Sequence, residues 1–242
     1  MRIVQNSNAG RLLRTRRIAV INSNSSDRVT QQLADTVTPE LLPGTEAVFL
    51  NPAEGPEGID TLFDVIVSGA HTAALVKEHS RDFDAFVVAC GNDPGLAAAR
   101  ELTDRPVIGI AEAGMLQACA HGATFSVAVL APAKVAGMRA LVRSYGLESR
   151  LASIIPARTT SRDAATSPDE LLDQLVEAYS RRTSDELGDV LVLTGSVMGQ
   201  IAPELAARVN RPVVAGLLAG VRMAETLADC PALSTYPSKE EA

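Results

Sequence analysis

Cys90 ends an apolar run and opens a polar turn, the place where a cysteine can act as a base or a nucleophile. The run Ala85 to Ala89 is expected as a short strand buried on both faces, since helices cover both sides of a parallel sheet. The turn reads Gly91-Asn92-Asp93-Pro94-Gly95. A thiol there lies at the carboxyl end of a central strand, where open α/β sheets hold their ligands. Pro94 suits the first turn of the next helix, with Asp93 as its N-cap. The free N–H groups of that helix would favour a thiolate and attract a substrate carboxylate. The plain alternative is a buried structural cysteine, and the strand-end position favours a functional one.

Two more polar clusters follow strands. Asn22-Ser23-Asn24-Ser25-Ser26 comes after the strand Ile18–Ile21, with Ser26 as N-cap of a helix running to about Val37. Thr194 to Gly199 follows the strand Asp189–Leu193. Asn22, Asn24, Ser25, Gly91, Asn92, Asp93 and Thr194 are therefore the candidate substrate-binding residues, with Cys90 and its counterpart in the chain's internal repeat, Gly195 or Ser196, as the candidate catalytic positions. Ordinary turn chemistry also selects Asn and Ser in such loops. His71 and His79 lack a partner at metal-ligand spacing and read as surface residues, so no metal site is expected.

The rest of the chain must position these loops. Strands are expected at Ile18–Ile21, Glu46–Leu50, Ala85–Ala89, Pro106–Ile110, Thr124–Leu130, Ser153–Pro156, Asp189–Leu193 and Pro212–Ala215. Helices alternate with them, including a long one over Ile59–Ser80. Asn51–Gly58 reads as a lid-like loop and Arg158–Ser167 as loop. The alternation predicts a parallel α/β fold. Residues 1–16, basic and without acid groups, read as a flexible extension, and 231–242 as a loose tail.

The halves repeat. Asp84-AFVVAC-Gly91 echoes Asp189-VLVLTG-Ser196, and Arg105-Pro106-Val107-Ile108 echoes Arg211-Pro212-Val213-Val214. This predicts two pseudo-symmetric parallel-sheet α/β lobes with the active site in the cleft between them, 17–115 plus 212–230 forming the first and 116–211 the second. An offset of 106 places Cys90 on Ser196, and one of 105 places it on Gly195. Neither residue is a thiol. The continuous strand leading into the motif favours Gly195, because a one-residue slip turns a strand over.

Composition narrows the partners. A net charge of −7 disfavours nonspecific nucleic-acid binding, and 3% aromatic residues with no Trp disfavour base stacking. No apolar run approaches a membrane span. An odd count of three cysteines without metal spacing predicts reduced thiols in a cytoplasm.

Residues 89–113, ACGNDPGLAAARELTDRPVIGIAEA, resemble the Asp/Glu/hydantoin racemase superfamily, nearest its hydantoin and allantoin racemase branch, whose motif reads A-C-F-G-D-P-G-L…P-V-I-G-I-x-E-A. Gly91 and Asn92 stand where that branch has Phe and Gly. INSNSS, 21–26, is similar to its N-P-N-[ST] loop, with Ser23 in place of Pro. The resemblance implies a cofactor-independent racemase or isomerase of a small carbon acid: an amino acid, hydantoin or dicarboxylate. It also implies a homo-oligomer with a small acid or cyclic amide as substrate. Two cysteines, one per lobe, would flank the acidic carbon. The first maps onto Cys90. The second belongs to L-G-C-x-G-M, which maps onto Leu193 to Met198, and there it is missing. Glycine offers at most a water and serine is a weak acid, so the two-thiol arrangement is incomplete. A one-cysteine decarboxylase or maleate-isomerase-like enzyme, and a silent binding protein, are the alternatives.

Overall fold

A computed structural model describes residues 15–229. In chain order, β1 (Arg16–Ile21), α1 (Asp27–Val37), β2 (Thr45–Leu50), α2 (Leu62–Glu78), β3 (Ala85–Val88), α3 (Leu96–Glu101) and β4 (Val107–Gly109) come first. They are followed by α4 (Ile110–His121), β5 (Phe125–Val129), α5 (Val135–Ser144), β6 (Leu151–Pro156), α6 (Ser161–Thr166) and α7 (Pro168–Ser180). The chain continues through β7 (Val190–Leu193), α8 (Ala202–Val209), β8 (Val213–Ala215) and α9 (Gly216–Ala228). The strands form two four-stranded sheets, β2-β1-β3-β4 and β6-β5-β7-β8, with every pairing parallel. The central strands AFVV and VLVL are buried at every residue, as sheets covered by helices on both faces require. Among the described residues no helix is long and apolar enough to cross a membrane.

Strand register resolves the repeat. Val88 pairs with Gly109, and its equivalent Leu193 with Ala215. Phe86 N–H donates to Pro106 O, and Leu191 N–H to Pro212 O, both at 2.9 Å. β3 therefore matches β7 at an offset of 105 while β4 matches β8 at 106, the extra residue lying in the connection between β7 and β8. The turns agree, since Asp93 N–H donates to Cys90 O and Met198 N–H to Gly195 O. Cys90 thus corresponds to Gly195, not Ser196.

The lobes exchange helices. α4 leaves the first sheet and packs on β7, while α9 leaves the second and packs on β3 and β1. The two helices also pack on each other, so closely that a Cβ on Gly114 would lie 3.0 Å from Gly216 Cα. α4 buries residues around much of its circumference, including Ile110, Ala113, Met115 and Ala118, as a helix with neighbours on several sides must. The expected lobe boundaries change accordingly. Residues 213–215 belong to the second sheet, because β8 pairs with β7, and a boundary at 115 would cut α4.

Local corrections have local causes. Arg16, assigned to the extension, begins β1 and pairs with Asp229 at 2.9 Å. α2 starts at Leu62 rather than Ile59, because Thr61 and Asp64 form a capping box. Residues 161–166, expected as loop, form α6, with the Thr160 hydroxyl accepting from Asp163 N–H. Ser196–Ile201 is a 3₁₀ helix rather than a loop. Residues 1–14 of the expected extension, the 231–242 tail and Cys230 lie outside the described residues.

Candidate active site

The carboxyl ends of β1, β3, β5 and β7 meet around a cavity of about 790 Å³. Cys90, Asn92, Asn24 and Ser196 line it, as do Gly91, Gly195, Asn22, Ser25 and Thr194. Asp93 does not. Its buried carboxylate accepts from Ala111 N–H at 3.0 Å, Glu112 N–H at 2.9 Å and the Tyr145 hydroxyl at 2.7 Å. It therefore caps α4, whereas α3 begins after Gly95, which has φ 76°. Asp93 is thus neither the N-cap of α3 nor a group facing substrate. Burial pushes its carboxyl up to about 6, against the three donors that pull it down.

Several of the polar candidates hold the loops themselves. Asn22 Nδ2 donates to Asn24 Oδ1 (2.8 Å), Ser26 O (3.1 Å) and Thr30 Oγ1 (3.0 Å). Thr194 Oγ1 donates to Ala128 O at 3.2 Å. Ser25 donates through Oγ to Gly55 O and through N–H to Pro56 O, both at 3.0 Å. The side chains of Asn92 and Ser196 and the Nδ2 of Asn24 have no hydrogen-bond partner among the described residues, and these line the cavity.

Cys90 is partly exposed to the cavity. Burial of its surroundings pushes the thiol up to about 11. The Asn92 N–H and the Lys134 ammonium pull it down, while Asp93 and Asp60 add to the rise. The expected helix-favoured thiolate is therefore not the resting form, since desolvation outweighs the donors around the sulfur. At the equivalent strand end of the second lobe, a Cβ on Gly195 would lie 2.8 Å from Met198 Sδ, so a thioether takes the space beside that glycine.

The loop between β2 and α2 bridges the lobes. Ser161 Oγ donates to Asp60 Oδ1 at 2.7 Å and Lys134 Nζ to Ile59 O at 2.5 Å. Lys134 also pairs with Asp60 at 3.3 Å, and Arg162 with Glu57 at 3.3 Å. Lys134, Asp60 and Ser161 were not among the sequence candidates. They meet across lobes from segments without a motif, and only the lid-like character of Asn51–Gly58 pointed toward them. Charges on the lining balance, with Asp27, Glu57 and Asp60 against Arg28, Lys134 and Arg162. Val129, Leu130, Met138, Val197 and Met198 make an apolar wall from the second lobe. Among the described residues no three His, Cys, Asp or Glu side chains stand together to hold a metal ion.

The sequence pattern of the family described as Asp/Glu/Hydantoin racemase matches residues 18–224. The chain is 34% identical over 213 residues to hydantoin racemase of Paenarthrobacter aurescens, covering 87% of this chain and 90% of that one. It is 31% identical over 232 residues to hydantoin racemase of Pseudomonas sp. (strain NS671), covering 93% of each. The crystal structure of allantoin racemase from Pseudomonas fluorescens superposes with a TM-score of 0.82 at 27% identity, covering 87% of this chain and 90% of that one.

Proposed function

The chain belongs to the Asp/Glu/hydantoin racemase family, and from that premise we propose that it is a cofactor-independent racemase of a substituted cyclic amide of the hydantoin kind, with Cys90 exchanging the proton on one face of the acidic carbon. The observation that carries this reading is the thiol itself, held at the end of β3 on a cavity whose lining charges cancel. A neutral ring with several carbonyl and N–H groups suits such a cavity better than a dicarboxylate, whose two charges would meet the lining carboxylates Asp27, Glu57 and Asp60 as well as its cations.

As a thiolate, Cys90 takes the proton from the ring carbon, and the electron pair moves into the adjacent carbonyl. Asn24 Nδ2, the Asn92 amide and the Ser196 hydroxyl are the uncommitted donors that would steady the resulting oxyanion. The apolar wall of Val129, Leu130 and Met138 would receive the ring substituent. Desolvation makes the thiolate scarce at neutral pH and correspondingly basic.

The test is a single enantiomer of a monosubstituted hydantoin incubated in deuterium oxide. Loss of optical rotation faster than in buffer alone, with deuterium entering the ring carbon, is expected from the parent, and the loss of rotation is absent from Cys90→Ala. Equal rates for the two proteins would overturn the assignment. Gly195, which offers no thiol, favours one further reading, a one-cysteine decarboxylase. Carbon dioxide release from a malonate-type acid would identify it.

A further inference from the structure

A racemase must also return a proton on the face opposite its first base. Gly195 leaves the matching position of the second lobe without a side chain, and Met198 fills the space beside it. Among the lining residues of that lobe, Lys134 and Arg162 carry titratable groups. A guanidinium keeps its proton, and Arg162 is exposed and paired with Glu57. Lys134 follows β5, the second-lobe counterpart of β1, and its side chain is only 12% exposed. An ammonium has three donors. Ile59 O accepts one of them, Asp60 Oδ1 pairs with the charge at 3.3 Å, and the side chain lines the cavity. The Lys134 charge also reaches the Cys90 sulfur.

We propose that Lys134 is the second proton-transfer group, taking the place of the thiol that Gly195 lacks. The proposal rests on the racemase reading of the same cavity. In the form with thiolate and ammonium, Cys90 removes the proton: the C–H bond breaks, an S–H bond forms, and the pair moves into the neighbouring carbonyl. Lys134 then protonates the opposite face. An N–H bond breaks, a C–H bond forms, and the protein is left with thiol and amine. The other enantiomer enters at that form, with the amine as base and the thiol as acid. Proton exchange with water interconverts the two forms.

The test compares the parent with Lys134→Gln and Lys134→Arg, using each enantiomer of a monosubstituted hydantoin in deuterium oxide. Both variants should lose racemisation by about a hundredfold or more, yet still exchange the ring proton of one enantiomer, with retention, through Cys90. Arginine keeps the charge and can hold Ile59 and Asp60, so its failure separates proton transfer from a latch on the bridging loop. Racemisation by Lys134→Arg within a few-fold of the parent overturns the proposal, as does equal loss of exchange for both enantiomers in a folded Lys134→Gln. A parent that exchanges neither enantiomer overturns the racemase reading itself, whereas a parent that racemises alongside fully active variants overturns only the role of Lys134.

Discussion

A Cβ on Gly91 would lie 2.7 Å from the carbonyl oxygen of Thr194, so the turn after β3 and the turn after β7 touch through backbone alone. The two lobes meet at the residues flanking Cys90 and Gly195. Gly91→Ala would therefore press on a backbone oxygen that no rotamer change can relieve. We expect a loss of roughly 1–3 kcal/mol in urea unfolding from this overpacking, together with a lower kcat as the strand ends are pushed apart. An unchanged unfolding midpoint would show that the turns can separate freely.

Register makes Gly195, not Ser196, the partner position of Cys90. Gly195 has φ −69° and ψ 133°, which any residue accepts, and its one obstacle is the flexible Met198 side chain. Gly195→Cys should therefore fold and raise the rate at which a single enantiomer loses optical rotation. Ser196→Cys should not. The reverse order would mean that the 3₁₀ turn, rather than the strand end, presents the second face.

The alternation of strands and helices was legible because parallel strands covered on both faces read as bare apolar runs, AFVV and VLVL. Cys90 was legible for the same reason, as the polar break at the end of one. The exchange of α4 and α9 was not, since an apolar helix carries no mark of which sheet it will cover. Asp93 was misplaced because capping signals are read locally, whereas its carboxylate serves a helix that starts in sequence well beyond α3. Lys134 and Asp60 escaped because their meeting depends on how the lobes face each other.

The raised thiol sets the pH response of Cys90. With a value of about 11, the thiolate fraction grows about tenfold for each pH unit between 7 and 10. Iodoacetamide labelling of Cys90, followed by peptide mass spectrometry, should accelerate by that factor per unit. On the proposed mechanism kcat/KM should climb with it, since there the free enzyme must reach the thiolate. A labelling rate that levels off near neutrality would show that a donor outside the resting geometry stabilises the anion.

Asp93 gives the fold its own pH dependence. Its folded value of about 6 stands above the ordinary aspartate value of 3.8, so the folded protein retains a proton that the unfolded chain gives up between these limits. Its contribution to stability is thus fully present below about 3.8 and lost as pH rises through about 6. Tyr145→Phe removes a donor that favours the ionised carboxylate. It should lower stability at neutral pH by roughly 1–3 kcal/mol and carry the decline to higher pH, because the folded value rises further. Urea unfolding at intervals from pH 4 to 8 measures both effects. A Tyr145→Phe curve parallel to that of the parent would show that the hydroxyl contributes packing alone and leaves the Asp93 titration where it was.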